Sequence, residues 1–508
     1  MWNMTLKGIA VLLLFVPSHV QAQDAATNIS SALTAGGNRQ PEKRAFSLSS
    51  LSVAPLAPPA QGDTVRHNMY GDLLEDNPAY IQKSPWWMCA LRVTMNNVVT
   101  WASDRYVFNS DFARIGFNSW KNNLTTGFEW DTDRFGMNYF FHPYSGGGYF
   151  NAARANGYGF YESVPYAFGG SLMWELFGEN TLPSVNDVIN TTVTGAFLGE
   201  ITYRLSSDFL DDRTTGSERV FRELLAGIIN PGRAFGRLLQ GKFTRVTPEE
   251  IYQKEPLNMT FAAGPHVVND GRKFGAGSTD EMVTVQLDYG NPFEQRSRKL
   301  FDYFKLRGDL TFGAGRKVID NVIGQGIMIG RNVQSGNLDV LLGVFQHYDF
   351  WDNKTFELGT IAFGAGAISK LSVNASSNLY FDLHIGLVPL AGNSTQLGPD
   401  TSQFRDYNYG GGGEGKFETT LNLGSRVNLT FRGYYYWIHT YVGTAGESFV
   451  GIVKPGIAFR IVGNFSLGFE HLIYYTDRYP RDFPAFHDVR TEQKIFVQYY
   501  IDNFKQKR

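Results

Sequence analysis

The 508-residue chain is short of several things that common protein classes need. It has one cysteine, Cys89, so no intramolecular disulfide can form and no metal site can be built from thiolates alone. It has no excess of positive charge. Its 46 Lys and Arg face 48 Asp and Glu, a net of −2, which excludes the basic surface that a nucleic-acid backbone requires. Charged residues make up only 19% of the chain. No segment after the first residues offers the run of ~18 apolar residues that a membrane helix needs. The G-x-S-x-G elbow of serine hydrolases and the H-E-x-x-H helix of zinc proteases are both missing.

What is abundant points elsewhere. There are 55 glycines, and Phe, Trp and Tyr together reach 15%. Many aromatics, many glycines and few charges suit a membrane β-barrel. The chain opens with Lys7, an apolar stretch Gly8 to Val16 and the small-x-small triplet Val20-Gln21-Ala22. This is the pattern of a cleaved export signal over 1–22, with a mature chain from Gln23. Residues 23–85 are rich in Ser, Ala, Thr, Gly and Pro without amphipathic period, and read as a disordered or extended linker.

Residues 86–245 read as helical. Trp87 to Val107 carries apolar residues at helical spacing, and a second region runs from Tyr149 to Glu179 with a break expected at Pro165. Ser184 caps a third helix, with Asp187 three residues on, and that helix runs to about Leu210. A fourth helix starts at Ser217. Asn230 and Pro231 end it and start a short fifth, which Gly241 stops.

From about residue 258 the period changes to two. Leu379, Phe381, Leu383, Ile385 and Leu387 alternate with Tyr380, Asp382, His384 and Gly386, and Ile495, Val497, Tyr499 and Ile501 alternate with Phe496, Gln498, Tyr500 and Asp502. About twelve such segments succeed one another, an even number as single-chain bacterial barrels have. Tyr434 to Trp437, Tyr474-Tyr475 and Tyr499-Tyr500 have the look of interfacial aromatic girdles.

The helical region concentrates polar groups. Glu175 and Glu179 are four apart, where like charges on one helix face repel, so a cationic partner such as Arg154 or Arg204 is expected. Glu200 precedes Arg204 by four, a favourable intrahelical order, and Arg219 and Glu223 form another such pair. Gly195 and Gly199, beside Thr191 and Thr192, leave a small face for close helix contact. The residues His142, Arg154, Glu175, Glu179, Asn186, Asp187, Glu200 and Arg204 form the candidate polar network, either a ligand-binding site or an ion-pair framework; two clustered carboxylates could also serve acid–base or metal chemistry.

Several blocks in order, His142-Pro143-Tyr144, Ala152 to Tyr158, Gly170 to Glu175, Pro183 to Asp187 and Leu198-Gly199-Glu200, resemble the bacterial family catalogued as domain of unknown function 3943. The resemblance implies an exported envelope protein of Gram-negative bacteria with a barrel after the helices, and implies no activity.

The expectation is therefore an α+β membrane protein. A C-terminal antiparallel transmembrane β-barrel of about twelve strands, over 246–508, is preceded by an all-α block, over 86–245, that plugs or caps the lumen. Its expected location is the outer membrane. Its expected partners are outer-membrane lipids and, during biogenesis, the barrel-assembly machinery, with no nucleic acid, no metal and no cofactor. The favoured function is a plugged channel or transporter for a small or amphiphilic solute. A lipid-active outer-membrane hydrolase and a structural or assembly protein with an occluded lumen remain as alternatives.

Overall fold

The computed structural model describes residues 83–502, apart from 270, 272, 297, 314–316 and 395–406. The expected export signal and almost all of the expected linker lie outside the described residues.

Seven α-helices come first among the described residues: α1 (Trp86–Ala102), α2 (Phe117–Thr126), α3 (His142–Arg154), α4 (Phe160–Met173), α5 (Val185–Phe209), α6 (Gly216–Ile229) and α7 (Pro231–Leu239). π-helical turns at Ser103–Val107, Met137–Phe141 and Trp174–Gly178 extend α1, lead into α3 and finish α4. The caps follow from the residue types. The Ser184 hydroxyl accepts from the Asp187 amide at 3.3 Å, and the Asn230 side chain accepts from the Arg233 amide at 3.0 Å with Pro231 at the first helical position. Gly241 ends the last helix with φ +67°. The expected break at Pro165 does not occur, because α4 runs through it; the chain turns earlier, at Gly157, where φ is +86°. Helix α2 was not distinguished in the sequence.

Helix α5 is the spine of the block, and its glycines decide how α3 meets it. A Cβ on Gly146 of α3 would sit 1.9 Å from the Thr191 carbonyl oxygen, and one on Gly195 would sit 2.6 Å from the Gly146 carbonyl carbon. Only backbone fits there, which is the close contact that the small face of α5 predicts.

Twelve strands follow: β1 (Leu257–Val268), β2 (Ser278–Tyr289), β3 (Phe304–Phe312), β4 (Ile319–Ser335), β5 (Leu338–Asp352), β6 (Glu357–Asn374), β7 (Ser377–Ser394), β8 (Tyr407–Leu423), β9 (Val427–Val442), β10 (Gly446–Val462), β11 (Phe465–Pro480) and β12 (Phe486–Asp502). Each pairs antiparallel with its neighbours in sequence, and β1 pairs with β12, so the sheet closes and has no free edge. Strand side chains alternate between the two faces of a sheet, so each strand has an outward and an inward set. Leu383, Ile385 and Leu387 on β7, Leu429 and Phe431 on β9, and Ile495 and Val497 on β12 are exposed on the outside. Tyr435, Trp437, Tyr475 and Tyr499 stand with them, whereas Tyr434, Tyr436 and Tyr474 point inward and are buried. An apolar exterior around a polar interior is the arrangement of a barrel surrounded by lipid.

The helical block stands against the outside of this wall. His347 and Asp349 of β5 point into the lumen, where they meet Glu414 and Lys416 of β8. The residues between and beside them, Gln346, Tyr348 and Phe350, therefore face out, and these are the ones that meet the helices. Gln346 donates to the Val193 carbonyl of α5 at 3.2 Å, Tyr348 to the Tyr139 carbonyl at 2.5 Å, and Phe350 stacks on Phe135. Tyr139 lies so close to Gly359 and Gly392, on the outward faces of β6 and β7, that a Cβ at either would stand 2.2 or 2.3 Å from its ring. Phe197 does the same over Gly324 of β4. The expectation of a plug or cap is corrected: a plug needs helix side chains among the inward set, and these contacts are all with the outward set.

Candidate functional site

The inside of the barrel is filled by its own side chains. Lys305 of β3 pairs with Asp382 of β7 at 2.7 Å and Glu418 of β8 at 3.1 Å. Glu470 of β11 binds Arg432 of β9 at 2.9 Å and Arg307 of β3 at 3.4 Å. Strands β3 and β9 stand six places apart in the closed order, on opposite walls, so Glu470 ties the two sides of the lumen together. Gln325 donates to Asp382 at 2.9 Å, the Tyr434 hydroxyl to Glu418 at 2.6 Å, and Lys494 pairs with Asp309 at 3.1 Å. His384 lies 2.5 Å from Asp382 and 3.1 Å from His347, which in turn meets Glu414. Beyond this charged zone, toward the rim formed by the β5–β6 and β11–β12 connections, Trp351, Phe356, Tyr436, Ile438, Ile452 and Tyr474 form an apolar layer across the interior.

The inward parity of the strands (Asp382, Glu418, Arg432, Arg460 and Glu470) reads in the sequence as a source of ion-pair partners for the helical block, but Asp382, Glu418, Arg432 and Glu470 do not serve it. They pair with one another and with β3 instead, because the block is on the other side of the wall. Most of the partners went unrecognised in the sequence. Their signal is charge or imidazole at alternate positions of one strand: Lys305-x-Arg307-x-Asp309, His347-x-Asp349, Asp382-x-His384, Glu414-x-Lys416-x-Glu418 and Glu492-x-Lys494. Such i, i+2 runs place every charge on one face.

The eight network residues singled out in the sequence fall into two groups. In the first, Glu200 takes Arg154 at 2.7 Å and Arg204 at 2.8 Å, so the Glu200–Arg204 helix pair forms. Arg204 also reaches Asp302 at 3.4 Å and the Leu300 carbonyl at 2.7 Å, in the connection between β2 and β3. This pairing fastens the lower end of α5 to the barrel. Burial works to raise the Glu200 carboxyl, but the two guanidiniums outweigh it and hold it below the ordinary range.

The second group gathers at the upper end of α5. Glu175 accepts from the Ser184 amide at 2.8 Å; Asn186 donates to Asp131 at 3.0 Å and to Asp187 at 3.0 Å. Asp131 also accepts from Asn138 at 2.7 Å and from the Tyr409 hydroxyl on β8 at 2.7 Å. Burial, then the Glu179 charge, pushes Glu175 well above the carboxylate range. Burial, then Asp131 and Glu175, does the same for Asp187. Glu179 is pushed up to about 8 by burial and then by Asp133. Burial holds the imidazole of His142, at the start of α3, below its ordinary value against the pull of Asp131. Chemically the group is a set of buried acids and amides, in which Glu179 is placed to exchange a proton near neutral pH.

Two expectations about these residues are corrected. Glu175 lies in a π-helical turn and Glu179 follows it in extended conformation (φ −137°), so they do not stack on one helix face. Arg154 and Arg204 do not serve them, because Glu200 already takes both.

Among solved structures, about half of the chain is similar to outer-membrane proteins. The outer membrane channel DcaP of Acinetobacter baumannii is 9% identical, with a TM-score of 0.23 over 48% of this chain and 96% of that one. The anion-selective porin from Comamonas acidovorans is 8% identical, with a TM-score of 0.23 over 48% and 98%. The Pseudomonas putida toluene transporter TodX is 8% identical, with a TM-score of 0.21 over 49% and 89%. The closed twelve-strand topology rests on its own strand pairing, to which likenesses at this level add nothing. A search of curated proteins gives no match. Residues 127–232 match the family model described as a domain of unknown function (DUF3943), the family that the motifs from His142 to Glu200 resemble.

Proposed function

We propose that this chain is an outer-membrane channel for a small polar or amphiphilic solute, held closed by charges of its own barrel wall rather than by a helical plug. One observation carries the reading: Glu470 is gripped by Arg307 and Arg432 from opposite walls of a closed, charge-lined barrel. A lumen lined by both signs is a polar path, and cross-wall ion pairs are contacts that a field, a pH change or a solute can exchange. The apolar outer faces of β7, β9 and β12 support insertion among outer-membrane lipids, after delivery to the barrel-assembly machinery.

The test is planar-bilayer conductance of the wild type beside Arg307→Ser/Glu470→Ser, which removes the shared carboxylate and one of its two arginines and so breaks both cross-wall contacts. A quiet wild type and a conducting variant support a closed channel. A folded, heat-modifiable variant that stays silent points to the structural protein with an occluded lumen.

A further inference from the structure

Between α1, α7 and the segment after α7 lies a small, half-open recess. Arg92, Arg233, Arg237, Lys242 and Arg245 line it, and no carboxylate does. The carboxylates that hold this wall, Asp212 and Glu223, stand behind it and are shared. Arg237 takes both, at 2.8 and 2.6 Å, Arg219 takes both at 3.0 Å, and Arg245 takes Asp212 at 2.8 Å. Arg233 is held by neutral groups. It donates to the Tyr203 carbonyl at 2.9 Å and the Ser206 and Ser207 hydroxyls at 2.8 and 2.6 Å, and stacks over Tyr203. Among the described residues the Lys242 ammonium has no carboxylate partner, and burial followed by the four arginines pushes it down to about 8. Arg233 and Lys242 thus bring to this recess two basic side chains that no carboxylate among the described residues pairs with.

A second, larger recess adjoins the first and shares Arg92 and Gly232 with it. Its walls are partly apolar, with Tyr144, Leu198, Ile229 and Pro231 among them. The surrounding helices expose large apolar side chains: Trp86, Trp87 and Leu91 on α1, Phe221, Leu224 and Ile228 on α6. Exposed apolar patches of this kind mark contact with membrane or partner. A basic recess opening into an apolar cleft, on helices with an apolar rim, fits one chemical class.

We infer that the paired cavities bind a phosphate-bearing lipid, with the phosphate among Lys242, Arg233 and Arg245 and the hydrocarbon in the cleft between α3 and α7. Guanidinium forks and an ammonium suit phosphate oxygens, and Gly232, which has no side chain, borders both recesses. The inference rests on the helical block alone and stands whether or not the barrel conducts.

The test is calorimetric titration of the full-length protein in a non-ionic detergent with three probes: dihexanoyl phosphatidic acid, uncharged dihexanoylglycerol and inorganic phosphate. The expected result is that phosphatidic acid binds at least about tenfold more tightly than either other probe, and that Lys242→Gln weakens it about tenfold while leaving dihexanoylglycerol unchanged. Lys242→Arg, which keeps the charge, restores binding, and resistance of residues 86–245 to limited proteolysis reports folding of the block for both variants. Inorganic phosphate binding as tightly as phosphatidic acid overturns the lipid assignment. Dihexanoylglycerol binding as tightly as phosphatidic acid, or indifference to Lys242→Gln, overturns the phosphate site.

Discussion

Tyr348, on the outward face of β5, donates its hydroxyl proton to the main-chain carbonyl of Tyr139 at 2.5 Å, and so fastens the helical block to the outside of the barrel. Tyr348→Phe removes that donor and nothing else. The expected cost is about 1 kcal/mol, confined to the attachment of the block. Limited proteolysis should cut within 86–245 faster, while the barrel keeps its heat-modifiability.

Glu200 shows how the other end of α5 is held. Glu200→Gln leaves Arg154 and Arg204 facing a neutral amide, with Arg204 buried. Breaking one side of a buried ion pair costs about 3–5 kcal/mol, so the thermal transition of the block should fall markedly. Replacing Glu200 and Arg204 together by leucine should cost less than Glu200→Gln alone, measured by the same unfolding scan.

The upper and lower ends of α5 should respond to pH with opposite signs. Glu179 titrates above its unfolded value, so the stability it contributes is complete below about pH 4.3 and is lost as pH rises toward about 8. Glu200 is held below its unfolded value, so its contribution is present above about pH 4.3 and is lost in acid. Between pH 5.5 and 8.5 the Glu179 effect operates and the Glu200 effect does not. The wild type should lose about 1 kcal/mol or more over that interval, and Glu179→Gln should lose less. Equal losses would contradict the assignment.

The barrel was legible because lipid on the outside and charge on the inside impose a strict period of two. Strands such as Leu379 to Leu387 and Ile495 to Ile501 therefore announce both their existence and their outward face. The caps at Ser184, Asn230 and Gly241 were legible for a local reason, since a side chain or a left-handed glycine acts within a turn. The position of the block was not legible. A helix that plugs a barrel and one that clasps its outside both bury one face, and the choice depends on which β5 parity it meets, Gln346 and Tyr348 or His347 and Asp349. The partners of Asp382 and Glu470 were hidden similarly, because Lys305 and Arg307 lie far off in sequence and arrive only when the barrel closes.

That choice of parity is also the most direct point of attack. With Cys89 replaced by serine, Val193→Cys is combined either with Gln346→Cys or with His347→Cys, and a short bis-maleimide is added to the folded protein. Gln346 already donates to the Val193 carbonyl at 3.2 Å, so the account expects efficient crosslinking from position 346 and none from position 347. Crosslinking at 347 in preference to 346 would place α5 inside the lumen and contradict it.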